Sequence, residues 1–440
     1  MLGPAAFVKY GLTMLWVAGC AMILQTLFNV ELMRYTLATG EPAVTGFMRT
    51  KPHATFWAWV YATLYFLQVG WPAWAGTAAG AFFFLFAKRL SAAPDASTVY
   101  AIGVGLFLVC VVILLVGRRI ERTLETLNWI LVACILTGFV VLALRLVHAE
   151  TVGAALAGLV GYSPAAGEFR FIPAGADFFL IGAFAGYSGA GGVINLTLTN
   201  WARDRGYGMG GVAGYIPSAG NRDAHTLSHT GFRFDNTLTE MAKWRGWWRV
   251  VHADQWGVFF VGAILGMILP ALLYVTFLPP GTDIRGYGIA AALAQAMSDA
   301  GNKWLGASVA FIGAWILFKT QLDILEGIAR SITDIMWTGS ARVRGWRGGD
   351  VRVVYYSVLI ALVVWGVVAM RLAQPVFLLQ LGANVAGVVF VIAALHLLYV
   401  NTRLLPIHCR PPLWRRVGLV VFAAFYGSFV ALWIRGLLAA

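Results

Sequence analysis

Four glycines fall within seven residues, at Gly186, Gly189, Gly191 and Gly192, and Tyr187, Ser188 and Asn195 place polar groups among and just beyond them. A glycine inside a helix costs about 1 kcal/mol relative to alanine, so this run predicts a helix that unwinds at its centre. Carbonyls freed at such a break can coordinate a cation, and the half-helix N-terminus beyond it can face an anion. The competing reading is close packing of helices through small residues. Tyr187, Ser188 and Asn195 favour the break, because packing alone does not require them.

A second set carries charge. Lys319, Asp323, Glu326 and Arg330 stand at spacings of four, three and four, which puts them on one helical face. Ionisable groups inside a bilayer are expensive unless they pair or face water. Two readings therefore stand: a neutral ladder of Lys319 with Asp323 and Glu326 with Arg330, or a hydrated inner path for substrate or protons. Gln380 and Asn384, four apart, share a face and could complete a binding site through their amide oxygens. Gln25 and Asn29 have the same spacing, with interhelical hydrogen bonding as the preferred reading there. Glu31 and Arg34 read as an interfacial ion pair, and Asp223, His225 and His229 as a polar loop rather than a metal site.

The elements that must position these groups are membrane helices. Of 440 residues 60% are hydrophobic and 12% charged, against roughly 25% charged in a soluble domain. Stretches near the ~20 residues a bilayer requires give about ten spans: 10–32, 56–86, 98–117, 127–147, 176–200, 255–278, 304–329, 353–371, 375–400 and 413–436. They lack period-2 alternation, which argues for helices over a β-barrel. Gly70-Trp71-Pro72 should kink the second span. The net charge of +13 is spread over short segments between apolar runs, which excludes a basic nucleic-acid-binding domain. With alternating connections, one side holds the loops around Arg49, Arg118, Arg203, Arg342 and Arg410 and collects 22 of the 32 Lys and Arg. The positive-inside rule makes that side cytoplasmic, leaving Met1 outside and the 202–254 connection in the cytoplasm of a multi-pass inner- or plasma-membrane protein. No phosphate-binding loop or nucleophile–base motif occurs, so neither an enzyme nor an ATP-driven pump is expected, and no cofactor.

Three stretches together resemble the Nramp family of divalent-metal transporters, in a divergent Nramp-like subgroup. They are residues 25–41, from Gln25 through Asn29, Glu31, Arg34 and Tyr35 to Thr39-Gly40-Glu41; Ala185-Gly186-Tyr187-Ser188-Gly189-Ala190-Gly191-Gly192 on to Asn195; and Asn200 to Gly210. The resemblance implies a LeuT-type fold of two inverted repeats of five helices, the first helix of each broken at the central site. Residues 176–400 then form the second repeat, 10–147 the remaining four helices of the first, and 413–436 an extra C-terminal helix. The first repeat is one helix short, the same crossing that the charge count asks for before Met1.

It further implies a secondary transporter moving a small divalent cation by alternating access. Substrate would sit at Gly186, Tyr187, Ser188, Gly189, Asn195, Gln380 and Asn384, with metal ligands at Ser188, Asn195 and Gln380. Departures from the family matter. Its Asp-Pro-Gly-Asn has no counterpart here, and its Met-Pro-His is replaced by the glycine-rich stretch, which removes a thioether. The oxygens that remain suit Mg²⁺ better than Fe²⁺ or Mn²⁺. The second span, uncharged between Trp57 and Ala87, lacks the family's acidic proton-route residue, which puts proton coupling in question. Two alternatives stand beside this: a carrier of an amino acid or other small organic solute, and a non-transporting remnant.

Overall fold

Apolar segments in lipid must satisfy every backbone polar group internally, so these runs fold as helices. The computed structural model describes residues 2–116, 118–215, 227–284 and 288–439. The helices are, in order, α1 (Leu2–Tyr10), α2 (Leu15–Thr39), α3 (Ala43–Phe47), α4 (Ala54–Val69), α5 (Ala73–Ala87), α6 (Ala96–Val116), α7 (Arg118–Leu146) and α8 (Ala149–Gly158). A two-stranded antiparallel hairpin, β1 (Tyr162–Ser163) and β2 (Glu168–Phe169), follows. Then come α9 (Phe178–Gly186), α10 (Val193–Asp204), α11 (Gly210–Ala213), α12 (Leu238–His252), α13 (Val261–Phe277), α14 (Ile289–Asp299), α15 (Lys303–Gly339), α16 (Ala341–Arg344), α17 (Val351–Ala369), α18 (Pro375–Arg403) and α19 (Leu413–Ala439).

Among the described residues, nine helical segments are long and apolar enough to cross a membrane, and the protein is a multi-pass membrane protein. The expected ten become nine because span 176–200 is not one helix: α9 and α10 are separate halves. Four of the nine precede this broken pair and five follow it. The second expected span is likewise divided, with α4 ending at Val69 and α5 starting at Ala73, as Gly70-Trp71-Pro72 predicts.

Three boundaries correct the sequence reading. The first span does not begin at Tyr10: α1 is a separate helix whose residues Leu2 to Val8 are buried, and Gly11, at φ +87°, ends it. The sixth span does not begin at 255, because α12 runs through a π-helical stretch, Ala253–Phe260, directly into α13. Along its face Trp244 stacks on Trp248, and His252 meets Trp248 edge-on. Finally, α15 runs ten residues beyond the expected end at 329, and the charged groups of its second half, Lys319, Asp323, Glu326 and Arg330, are paired with opposite charges. Its 37 residues reach about 55 Å at 1.5 Å per residue, well past the ~30 Å hydrocarbon core.

The connections segregate to two ends. At one, Phe232 donates its N–H to the Thr39 carbonyl, Thr55 bonds Gly339, and Arg34 donates to the Cys409 carbonyl (3.0 Å). At the other, Lys9 pairs with Asp177 and Asp283, and Trp16 donates to Phe171.

Candidate functional site

The α9–α10 break is where local sequence dictates local structure. Asp177 caps α9 by accepting the Leu180 N–H (3.0 Å), and α9 stops at Gly186. Gly191 and Gly192 have φ of +101° and +52°, left-handed values that glycine adopts without a Cβ penalty. Gly186 is required for a different reason: a Cβ there would lie 2.1 Å from the Ala383 carbonyl oxygen of α18. Among the described residues, the carbonyls of Tyr187, Ser188, Gly189 and Ala190 accept no hydrogen bond.

Three buried side chains from elsewhere hold the break open. Gln68, at the end of α4, donates through Nε2 to the Gly191 carbonyl (2.9 Å) and accepts the Val193 N–H at Oε1 (2.9 Å). Gln25 of α2 accepts the Ala190 N–H (3.0 Å) and donates to the Tyr426 hydroxyl (2.8 Å). Asn195 donates to Asn29 Oδ1 (2.7 Å) and, more weakly, to Gln25 Oε1 (3.4 Å). The amide chain continues from Asn29 to Gln255 (2.9 Å) and from Gln255 to Asp254 (2.8 Å) in the π-helical stretch. Gln25 and Asn29 therefore do form interhelical hydrogen bonds, and the element they brace is the break itself. The Ile194 and Asn195 N–H groups bond Gly191 and Gly192, so all three leading N–H groups of α10 are taken.

Beside the break lies a cavity of about 340 Å³, walled by α4, α5, α10 and α15. Its oxygen-bearing lining comprises Tyr65, Thr197, Thr320, Asp323 and the backbone of Gly189 and Ala190, with Trp74 and Trp201 as aromatic walls. No sulfur lines it. Tyr65 and Thr197 are hydroxyl partners (3.2 Å), and Thr197 also meets Ser331 (3.1 Å). Trp201 is fixed by donating Nε1 to Glu326 (3.1 Å).

The α15 ladder pairs as its spacing predicts: Lys319 with Asp323, and Glu326 with Arg330. The two rungs differ. Asp323 keeps 50% of its side chain exposed and faces the cavity, while the Glu326 and Arg330 rung joins a wider network. Arg330 also pairs with Asp204, Asp204 with Arg203 (2.7 Å), and Arg203 with Asp334 (2.9 Å), which takes Asn200 as well. This network ties the inner end of α10 to α15.

The expected ligand set does not converge on the cavity, since Ser188, Asn195 and Gln380 are all absent from its lining. Ser188 donates back to Phe184 within its own helix (2.6 Å). Asn195 lies one residue off the cavity-facing row of Ile194, Thr197 and Trp201, so it points at α2, and its Oδ1 is buried without a partner. Gln380 is buried on α18, its Nε2 also unpartnered. Asn384 ties α18 to α9 by donating to the Phe179 carbonyl (2.8 Å). Gly189 does line the cavity, and Tyr187 stacks on Trp74 (5.9 Å) at its edge. Gln68, Tyr65, Thr197 and Thr320 were not singled out by sequence; a lone glutamine in an otherwise apolar span was the signal available for Gln68. Glu31 and Arg34 do form an ion pair, in the last turns of α2. Glu31 is fully buried between Arg34 (2.8 Å) and Arg415 (2.9 Å), both guanidiniums lying over Trp248.

Asp223 and His225 lie outside the described residues, and among those described no group of three His, Cys, Asp or Glu could hold a metal. No protein-family model matches the sequence, and no curated protein matches it. The structure is similar to that of the manganese transporter of Eremococcus coleocola in complex with an aromatic bis-isothiourea-substituted compound. The TM-score is 0.62 at 14% identity, over 99% of this chain and 83% of that one. A point mutant of the same transporter matches with a TM-score of 0.60 at 15% identity, over 99% and 87% of the two chains. At these identities the likeness is one of fold: an all-α membrane protein of LeuT-type architecture, with α9 and α10 as its broken helix.

Proposed function

We propose that the protein is a secondary transporter that moves a hard divalent cation, Mg²⁺ before Mn²⁺ or Fe²⁺, across the membrane by alternating access. The observation that carries this is the break opening on an oxygen-lined, sulfur-free cavity, with backbone carbonyls free of donors. The fold likeness to a manganese transporter supports the divalent class. Mg²⁺ sheds water reluctantly and keeps several waters when bound. Six waters at about 30 Å³ each occupy roughly 180 Å³, which fits within the cavity's 340 Å³. Such an ion is recognised through its water shell by the Gly189 and Ala190 carbonyls, Tyr65, Thr197 and Thr320, and its charge is balanced by Asp323 on the inner path. Tyr187 shapes the wall; Gly186, Ser188, Asn195 and Asn384 position the break, and Asn195 Oδ1 is buried with an open acceptor.

An organic solute bearing a carboxylate is the weaker reading. The α10 N-terminus that would receive it has its first three N–H groups occupied, and no Lys or Arg lines the cavity. The arginine-rich end, with the 202–254 connection, faces the cytoplasm in this proposal. Among the described residues Asp323, paired with Lys319, is the acid on the cavity wall.

Uptake into liposomes holding the purified chain, measured with Mg²⁺, Mn²⁺ and Fe²⁺ in turn, is the test. Saturable Mg²⁺ uptake that exceeds the other two supports the proposal. Absence of any divalent uptake overturns it, and an Fe²⁺ or Mn²⁺ preference overturns the hard-ion part.

A further inference from the structure

From residue 351 to the C-terminus the chain has seven arginines and no Asp or Glu. Only one of the four clustered at the α18–α19 turn finds a carboxylate among the described residues: Arg415, on Glu31 (2.9 Å). Arg410 and Arg416 donate to the Leu405 and Pro411 carbonyls instead (2.9 Å each), which leaves their charge uncompensated. Arg403 is exposed. This cluster is unlike the charge elsewhere at the same end, where Arg49, Arg203 and Arg330 each meet an acid.

Arg403 and Arg416 share a groove of about 410 Å³ with Leu395, Leu398, Tyr399 and Thr402. The lining is ordered along α18. Leu395, Leu398 and Tyr399 come first, with Leu395 and Tyr399 half exposed (50% and 53%) on the outer face of a membrane-spanning helix. Thr402 and Arg403 come one turn later, at its charged end, where the Thr402 hydroxyl is buried without a hydrogen-bond partner. Beyond them Ile407 and Leu413 are exposed at 80% and 73%, apolar side chains at the level of the arginines. An apolar wall that meets two cations and a free hydroxyl at the edge of the hydrocarbon matches one kind of ligand. It is an amphiphile with an acyl chain and an anionic phosphate head.

We propose that the α18–α19 groove binds an anionic phospholipid from the leaflet at the arginine-rich end, its phosphate held by Arg403 and Arg416 with the Thr402 hydroxyl, and an acyl chain laid along Leu395, Leu398 and Tyr399. Basic pockets between membrane helices hold acidic headgroups in this way, because the phosphate gains fixed charge while the chain stays in the bilayer. This groove shares no lining residue with the cavity beside the break. It stands whether or not the protein carries a cation.

The experiment uses the full chain purified in detergent and exposed to phosphatidylglycerol, phosphatidylcholine or inorganic phosphate, with retained lipid read by native mass spectrometry and the thermal midpoint read in parallel. Wild type should retain phosphatidylglycerol over phosphatidylcholine by roughly tenfold, and the Arg403→Gln/Arg416→Gln variant should retain both equally. Arg403→Gln alone, at an exposed side chain with no carboxylate partner among the described residues, should show a partial loss with a nearly unchanged lipid-free midpoint, which guards against misfolding of the double variant. Arg342→Gln, at the same end but outside the groove, should keep the full preference. Equal retention of the two lipids by wild type, or a preference that survives in the double variant, overturns the proposal. So does inorganic phosphate that stabilises as well as phosphatidylglycerol, since the ligand would then be a free anion.

Discussion

Gln68 bridges the broken helix with one side chain, and its removal has a cost that can be worked from the bonds it makes. It is 2% exposed, accepts the Val193 N–H and donates to the Gly191 carbonyl, both at 2.9 Å. The Gly191 carbonyl keeps a second donor, the Ile194 N–H (3.1 Å), whereas the Val193 N–H has no alternative. Gln68→Leu therefore strands one buried donor, about 1–3 kcal/mol, and loses one ordinary hydrogen bond, about 0.5–1.5 kcal/mol. The sum is about 2–4 kcal/mol against the break. Gln68→Glu keeps the acceptor for Val193 but sets a buried carboxylate oxygen against the Gly191 carbonyl in place of the amide donor, so it should not recover the loss. Hydrogen–deuterium exchange over residues 187–196, with the thermal midpoint in detergent, reads both variants. Exchange there should rise tenfold or more in Gln68→Leu, each 1.4 kcal/mol of opening energy being tenfold, and rise in Gln68→Glu as well. Unchanged exchange in Gln68→Leu would refute the reasoning that this glutamine substitutes for missing helical bonds.

Other outcomes follow from the same geometry. Asp323→Asn should slow divalent uptake several-fold with little change in thermal midpoint, because the carboxylate is half exposed; normal uptake by the Asp323→Asn/Glu326→Gln double variant would leave the ladder as architecture. Glu31→Gln strands the buried Arg34 and Arg415 and should destabilise by about 3–5 kcal/mol, part of which Arg415→Leu added in the same chain should restore. Burial pushes the Cys409 thiol up to about 11, with Arg34 opposing, so at pH 7.5 it should resist maleimide in the folded protein and react on unfolding. With Cys409 thus silent, cysteines placed at Ala341 and Ser97 report orientation: labelling of Ala341→Cys from the outer side of intact cells would invert the proposed topology.

How much of this was legible in sequence depends on how far apart the interacting groups lie. The break was legible because its cause is local: the left-handed backbone at Gly191 and Gly192 is a property of those residues. The pairing of Lys319 with Asp323 and of Glu326 with Arg330 was legible for the same reason, since helical spacing alone brings them together. Spacing names a face and never the neighbour on it: that Gln380 and Asn384 share a face of α18 does not say what either meets. The Phe179 carbonyl that takes Asn384 is 205 residues away. Gln68 meets Gly191 across 123 residues, and nothing in an apolar span announces that partner.

Continuity of helix was hidden where composition misleads. The run from Leu238 to His252 has enough charge to read as a connection outside the membrane, with at most short surface helices, yet Trp244, Trp248 and His252 recur every four residues and form an aromatic stripe against α2 and α19. That stripe places Gln255 where it receives Asn29, and so completes the amide chain that ends on Asn195 at the break. The chain of causes runs from an aromatic period in a basic segment, through a helix carried past its expected start, to the orientation of one amide in the centre. Turning Asn195 toward α2 is what leaves Ile194, Thr197 and Trp201 to face the cavity. Among the described residues the polar groups on the cavity wall are thus hydroxyl, carbonyl and carboxylate oxygens with the indoles of Trp74 and Trp201, and the oxygens are the donor class that hard divalent cations take.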